Sequence, residues 1–145
     1  MKLFKHMTDG GKDSVVEGYW LIEWKALFSI VLLKFNNGSR EAYHSHAFNC
    51  FSWVLKGKLI EDTMTYEKNV YKPSIWPFGT YRRTFHRVTS ISTTWVLSFR
   101  GPWSNLWLEW LPDTEEFVVL TDRRREVYRS AFLEDVEDFI RLKEC

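Results

Sequence analysis

The chain has 145 residues and a formal net charge of +1, with 45% hydrophobic and 27% charged residues. This balance is typical of one globular domain and excludes a disordered, collagen-like or disulfide-framework protein. The near-neutral charge gives no strong signal for nucleic acid or for an anionic membrane surface. Aromatic residues reach 17% of the chain, enough to line a pocket or to seal a core.

The number of cysteines and the length of the apolar segments indicate the cellular compartment. Two cysteines, Cys50 and Cys145, are too few for a disulfide framework. The N-terminus lacks the apolar core of a signal peptide, and the longest apolar run, residues 26–33, is too short to span a bilayer. We therefore expect a cytoplasmic protein with no membrane partner.

Short β-forming segments separated by turn signals fill most of the chain. About nine strands are predicted, over residues 19–24, 27–35, 41–46, 51–60, 70–75, 83–88, 94–99, 116–120 and 125–128. The segment 51–60 is expected to be a hairpin broken at Lys56-Gly57-Lys58, and Pro77-Phe78-Gly79 is expected to be a turn. This spacing is typical of an all-β sandwich or barrel.

The C-terminal residues follow a different period. Phe132, Val136 and Phe139 recur at helical spacing, which predicts a short amphipathic helix over about 130–143. The helix would cap the barrel or contact a partner. With no linker or repeat in view, we expect a single domain over 1–145 with its core at about 19–128.

Two histidines stand at the spacing of a metal site. His44 and His46 are two residues apart, so on a strand they would share one face, about 6.6 Å apart along the backbone. Two imidazoles at that spacing can bind one cation at about 2.1 Å each. A surface pair without a metal is the alternative interpretation.

A longer pattern surrounds this pair. Its members are Gly38, His44, His46, Cys50 and Gly57, followed by His86 after the predicted turn at 77–79. The pattern resembles the first motif of the cupin family, G-x5-H-x-H-x3-E-x6-G, except that Cys50 stands in place of the glutamate. The resemblance implies a cupin double-stranded β-helix, a jelly-roll barrel, with His44, His46 and His86 as metal ligands. The interval before His86 is longer than in the usual second motif.

The sequence after the second motif is similar to the thiol dioxygenase branch of the cupins. Residues 85–92 resemble that family's "LHRVENIS", and residues 57–61 resemble its "GNLKE". This implies an Fe(II) enzyme that oxidises a small thiol with O2. Residues 96–102 contain no tyrosine that could pair with Cys50, which departs from the family.

The three-histidine set and Cys50 leave two questions open. Neutral imidazoles favour borderline ions such as Fe(II), Zn(II) or Ni(II). The resemblance to thiol dioxygenases implies Fe(II) first, with Zn(II), Ni(II) or Mn(II) as alternatives. Cys50 would either ligate the metal as a thiolate or fill space beside it as an inert thiol.

Residues 40–49 and 95–103 also look like a group of small uncharacterised cupins of tailed bacteriophages. That resemblance brings no established chemistry. It keeps open a non-catalytic cupin that binds a small metabolite or nucleotide, or an interaction protein acting on a host process in the host cytoplasm. A homodimer is expected because cupins are often dimers.

Strand alternation predicts which other residues face the site. Ser52 and Val54 would face inward with Cys50, whereas Phe51 and Trp53 would face outward. The same alternation around His86 turns Arg82 inward, and Arg100 ends a strand near the barrel mouth. Either guanidinium could bind an anionic group of the substrate, and surface arginines are the alternative. The tryptophans at 103, 107 and 110 are expected to seal one barrel end or to form an oligomer interface.

Overall fold

A computed structural model of the chain describes residues 1–10, 14–39 and 42–145. These residues form thirteen strands, a short 3-10 turn and one helix. The first seven strands are β1 (Lys2–Thr8), β2 (Val16–Trp24), β3 (Phe28–Phe35), β4 (Gly38–Ser39), β5 (Cys50–Lys56), β6 (Leu59–Thr63) and β7 (Lys68–Tyr71). The others are β8 (Phe78–Thr80), β9 (His86–Ser90), β10 (Thr94–Arg100), β11 (Trp107–Leu111), β12 (Glu116–Thr121) and β13 (Arg125–Ser130), followed by helix α1 (Leu133–Glu144).

The strands form antiparallel sheets that pack face to face. One sheet has six strands in the order β1-β2-β3-β10-β5-β8. Opposite it lie a four-stranded sheet, β4-β9-β6-β7, and a three-stranded sheet, β11-β12-β13. Isolated bridges from His44 to His86 and to Glu109 join these two smaller sheets. The result is the all-β jelly roll with a C-terminal helix that the sequence predicts.

Two apolar clusters hold these layers together. Trp20, Val31 and Val96 of the large sheet pack against Leu59 of β6, and all four are at least 94% buried. The second cluster lies under α1, where Val136 is fully buried and Phe139 stacks on Tyr128 at 4.6 Å. Burial of these side chains supplies most of the driving force for the fold.

Alternation along β5 follows the prediction. Ser52 and Val54 are buried, whereas the neighbouring Phe51 and Leu55 are 59% and 53% exposed. The hairpin at Gly57 is also confirmed, because β5 and β6 flank it. The inward face of β5 is therefore the face that carries Cys50 toward the interior.

Several predicted strand bounds are wrong. Residues 42–49 contribute only bridges, and the first residue of the predicted 41–46 strand lies outside the described residues. The expected turn at 77–79 contains the start of β8, and β9 begins only at His86. The sequence gives no sign of β1 because six of its seven residues are exposed, and none of β11 because its apolar residues do not alternate with polar ones.

The helix is confirmed, with a later start than expected. Ser130 belongs to β13, and α1 runs from Leu133 to Glu144. Within residues 1–10, 14–39 and 42–145, we find no helix with the length and apolar character needed to cross a membrane.

Gly57 provides a test of the turn between β5 and β6. Its φ is +92°, and a Cβ atom there would lie 2.8 Å from the Cα of Thr94 and 2.9 Å from the carbonyl oxygen of Thr93. We expect Gly57→Ala to lower the free energy of unfolding by roughly 2–4 kcal/mol, because the strain falls on backbone atoms. Urea denaturation measures this change.

Gly79→Ala is the matched control for this substitution. A Cβ atom at Gly79 would meet the Phe51 ring at 3.8 Å, which is an ordinary contact. We expect a change below about 1 kcal/mol for this variant. Equal losses in the two variants would contradict the assigned role of Gly57.

Candidate metal centre

Backbone pairing brings His44 beside His86. The amide of His44 donates to the carbonyl of His86 at 2.9 Å, and the amide of His86 donates back to His44 at 3.0 Å. His46 follows two residues later and faces the same interior. The three ring centroids are 4.9 to 5.1 Å apart. The convergence predicted from the His-x-His spacing and the distant His86 is therefore present.

The geometry of the three rings suits one divalent cation. A ligand nitrogen from each ring lies within 4.8 Å of the others, and the Nε2 atoms of His46 and His86 are 2.8 Å apart. Three nitrogens bonded to one tetrahedral ion at about 2.1 Å lie about 3.4 Å apart, so small side-chain shifts suffice. His86 is buried and the other two histidines are half-buried.

A buried carboxylate fixes the orientation of His86. The Nδ1 atom of His86 lies 2.6 Å from Oε2 of Glu61, which is 5% exposed. Donation from Nδ1–H to this carboxylate leaves Nε2 unprotonated, the form that binds a cation. The Nδ1 atom of His44 lies 3.4 Å from the carbonyl oxygen of Ala42, which favours the same tautomer there.

Glu61 is itself held by two further donors. Asn69 Nδ2 and the Tyr71 hydroxyl both donate to its Oε1 at 3.0 Å. Burial by itself would raise the pKa of Glu61, but the hydrogen bonds from His86, Asn69 and Tyr71 outweigh it and lower that pKa. Burial and the neighbouring Glu61 carboxylate raise the pKa of Tyr71. The carboxylate is thus kept ionised and the phenol neutral, as this hydrogen-bond pattern requires.

A cavity of about 830 Å³ adjoins the histidines. Its wall includes all three imidazoles, Cys50, Arg100 and several aromatic rings, among them Trp20, Phe48 and Trp103. Trp107 also lines it, whereas Trp110 packs on the apolar cluster under α1. The expected sealing role therefore fits only part of this tryptophan group.

Arg100 lies in the cavity wall, close to the histidines. It is 4% exposed, and its Cζ lies 4.6 Å from the centroid of the Phe48 ring, which in turn lies 5.2 Å from the His46 ring. Its Nη2 donates to Oδ2 of Asp9 at 2.7 Å. The Phe48 ring thus neighbours both a buried guanidinium and one of the candidate metal ligands.

Arg82 is not where strand alternation placed it. It lies in a turn, where the Thr84 amide donates to the Tyr81 carbonyl at 2.9 Å, and its guanidinium pairs with Glu144 of α1. The inward orientation was expected from a strand continuing back from His86. Because β9 begins at His86, alternation does not extend to Arg82.

Cys50 lies in the cavity wall but apart from the histidine cluster. It is half-buried, and its Sγ lies 3.9 Å from the Ser52 hydroxyl. The group of ligand atoms within 4.8 Å of one another, searched over the described residues, contains the three histidines alone. Of the two interpretations of Cys50, this position favours the inert thiol that fills space beside the site.

Sequence reasoning missed two acidic residues of the cavity wall, Glu61 and Glu109. Glu61 shares a strand face with the buried Leu59, so alternation from the turn at Gly57 could have identified it. Glu109 is the charged residue in the apolar segment Trp107–Leu111, which was not predicted as a strand. An acidic residue among buried apolar ones is the signal that applies to both.

Comparison with known proteins gives the fold and no sequence relative. No protein-family model matches the chain. No curated protein matches it either.

Solved structures do resemble it. A cupin-superfamily sugar phosphate isomerase from Silicibacter pomeroyi matches with a TM-score of 0.57 and 11% identity, over 90% of this chain and 92% of that one. An RmlC-like cupin from Shewanella frigidimarina matches with a TM-score of 0.52 and 15% identity, over 68% and 84% of the two chains. HppE in its Fe(II) form matches with a TM-score of 0.54 and 12% identity, over 66% and 55%.

The strand order, the facing sheets and these structural neighbours together define the fold class. The protein adopts the cupin fold, a jelly-roll barrel, with a three-histidine cluster in its cavity wall. The sequence identities to these structures are too low to assign their activities to this protein, so the fold leaves the reaction open.

The Glu61 network gives a test of the metal centre. We expect Glu61→Gln to weaken Co(II) or Zn(II) binding about 10- to 100-fold. A neutral amide accepts the Nδ1–H hydrogen bond of His86 more weakly than a carboxylate does, so Nε2 becomes a weaker ligand for the metal. Competition titration with a metallochromic chelator measures the affinity. Asp62→Asn, on the neighbouring position of β6, is the control and should bind as the wild type does. Unchanged metal affinity in Glu61→Gln would contradict the role of Glu61 in preparing His86 to bind metal.

Proposed function

We propose that the protein is a mononuclear non-haem iron cupin that oxidises a small molecule, a thiol or a related compound, with O2. The observation that carries this proposal is the convergence of His44, His46 and His86 on one point in the wall of a large cavity. Three neutral imidazoles satisfy half of an octahedral ion and leave the other positions for exchangeable ligands.

Each part of the site has a task in this proposal. Bound Fe(II) would supply the redox chemistry for O2, and both oxygen atoms of one O2 added to a thiol give a sulfinic acid. The imidazoles would hold the ion, and Glu61 accepts the Nδ1–H hydrogen bond of His86, which leaves Nε2 unprotonated as a metal ligand must be. The rings around Phe48 give the cavity an apolar wall beside the histidines.

Arg100 is the group of this site that best suits a substrate anion. It shares the cavity with the histidines, and it is already paired with the carboxylate of Asp9. Its Nε–H is buried without an acceptor among the described residues, so its hydrogen-bonding capacity is not fully used. A carboxylate on the substrate would take a place like that of Asp9.

Sequence resemblance and structural neighbours support different parts of the proposal. The similarity of residues 57–61 and 85–92 to thiol dioxygenases supports the reaction, and the Fe(II) form of HppE shows that this fold class includes an iron(II) protein. A sugar phosphate isomerase of the same fold class shows that other reactions use it too. Cys50 would serve as a neighbour of the iron rather than as a ligand.

The cavity also favours a second function, the binding of a metabolite or nucleotide without turnover. Its wall carries a continuous series of rings and cations, with Arg100 on Phe48, Phe48 on Trp103 at 4.9 Å, and Lys25 4.5 Å from the Trp103 ring. Such a wall suits a planar or anionic molecule.

The homodimer, the cytoplasmic location and the likeness to phage cupins stay predictions from the sequence.

Metal loading and turnover test the first function against the second. After anaerobic reconstitution we expect close to one Fe(II) per chain by elemental analysis, and O2 uptake with a small thiol. His44→Ala and His86→Ala should lose most of the iron because each removes one of three ligands. His6→Ala, an exposed histidine elsewhere, is the control and should keep it. Iron-loaded protein without O2 uptake would favour binding alone.

Arg100 is tested with two thiols that differ in charge. We expect Arg100→Gln to raise KM for mercaptopropionate by about 10-fold or more, because a charged hydrogen bond to its carboxylate is lost. KM for cysteamine, which has no carboxylate, should change little. Arg82→Gln is the control and should leave both values unchanged, since Arg82 pairs with Glu144. Equal effects of Arg100→Gln on both thiols would contradict the assignment.

A further inference from the structure

A row of three directly paired residues crosses the metal centre. His44 pairs with His86 on one side and with Glu109 on the other. On the Glu109 side the hydrogen bonds come from the flanking residues, with the Ser45 amide donating to Leu108 and the Trp110 amide to Tyr43. His44 and Glu109 are thus a non-hydrogen-bonded pair, the kind in which Cα atoms are closest, about 4.5 Å apart.

Direct pairing also determines the face on which the side chains lie. Paired residues of adjacent antiparallel strands project to the same side of a sheet. The carboxylate of Glu109 therefore lies on the face that carries the imidazoles of His44 and His86. Its place in the wall of the same cavity agrees with this geometry. Glu109 is 7% exposed, so its charge is largely removed from water.

The carboxylate of Glu109 is held from outside the row. Arg124, in the 3-10 turn between β12 and β13, donates to its Oε2. Arg123 and Arg124 both have positive φ, 60° and 59°, a conformation that is costly for residues with side chains. The turn thus keeps Arg124 at the cavity wall at some expense in backbone energy.

Charge decides what this carboxylate does when a cation binds. Three imidazoles bring no negative charge to a divalent ion, and Glu61 is committed to the Nδ1 proton of His86. Attraction scales with the product of the charges, so a doubly charged ion attracts Glu109 more strongly than a half-exposed guanidinium does at a similar distance. The row geometry puts Glu109 on the histidine face, although its carboxylate lies outside the group of ligand atoms within 4.8 Å of one another. A rotation of the side chain, without any rearrangement of the backbone, would therefore bring it to the ion.

We propose that Glu109 is the anionic ligand of the metal centre and exchanges between two partners. Without a cation it pairs with Arg124, and with a cation bound its carboxylate turns to the ion beside the three histidines. This inference rests on the proposed function, in which those histidines bind a divalent metal. The site would then have a carboxylate from β11, on the far side of His44 from His86.

Opposite effects of the two members of the ion pair test this proposal. In Co(II) titrations of the metal-free full-length protein, we expect Glu109→Gln to weaken binding about 10-fold or more and to change the visible absorption of bound Co(II), since a ligand is lost. Arg124→Gln should tighten binding, because the carboxylate no longer has to leave this cation. Loss of affinity in both variants would mean a purely structural ion pair and would overturn the proposal.

Controls separate this result from changes in folding. Glu116→Gln and Arg129→Gln break an ion pair of 2.9 Å between β12 and β13, away from the cavity wall, and should leave Co(II) affinity unchanged. The urea midpoint of each metal-free variant is measured in parallel. Should Glu109→Gln fail to fold, Arg124→Gln and Glu109→Asp carry the test, with tighter and weaker binding expected respectively. Wild-type affinity in Arg124→Gln would then count against the proposal.

The experiment also separates this inference from the proposed function. If His86→Ala binds Co(II) as tightly as the wild type, the three-histidine centre is wrong and Glu109 has no centre to serve. If His86→Ala loses binding while Glu109→Gln retains both wild-type affinity and the wild-type spectrum, the centre stands and only the role of Glu109 is overturned.

Discussion

Backbone pairing at His44 is the constraint on which the site depends. This residue exchanges two hydrogen bonds with His86, and its neighbours make two more with β11. The short segment centred on His44 thereby joins the four-stranded and three-stranded sheets and brings two imidazoles to one face. Because the backbone makes this joint, the histidines are held together before any metal contributes.

The same joint determines how charge is distributed around the site. The ligands themselves are neutral, whereas acidic residues flank them on both sides: Glu61 behind His86 and Glu109 beyond His44. Each carboxylate has a donor that holds it, a hydrogen-bond network for Glu61 and Arg124 for Glu109. The first arrangement orients a ring through three hydrogen bonds to one carboxylate, while the second is a single ion pair, which we propose exchanges for the metal.

The large sheet supplies the other half of the cavity. Its strands present small polar residues and Arg100 to the interior, while the larger apolar ones pack in the core or remain outside. Ser52 and Ser98 hydrogen-bond to each other at 3.0 Å across β5 and β10. These two hydroxyl groups therefore satisfy each other while their small side chains leave the cavity unfilled. Room for a ligand therefore comes from side-chain size along two strands.

The residues that could be predicted are those whose signal is local. The His-x-His spacing, the turn at Gly57 and the alternation along β5 depend on a few consecutive residues, and the structure confirms them. Alternation failed for Arg82 because a turn interrupts the strand before His86. The convergence of His86 was predictable only through the resemblance to cupin motifs, because no local rule links residues 40 positions apart.

By itself, the sequence determined an all-β chain with a helical end, the placement of His44 and His46 on one face, and the inward face of β5. Hydrophobic alternation and turn chemistry are local properties, so they can be read without coordinates. Only the tertiary structure decided that Glu61 holds His86, that Arg100 packs on Phe48, and that Glu109 shares a row with two histidines. Those contacts depend on sheet register, which is set by the packing of distant strands.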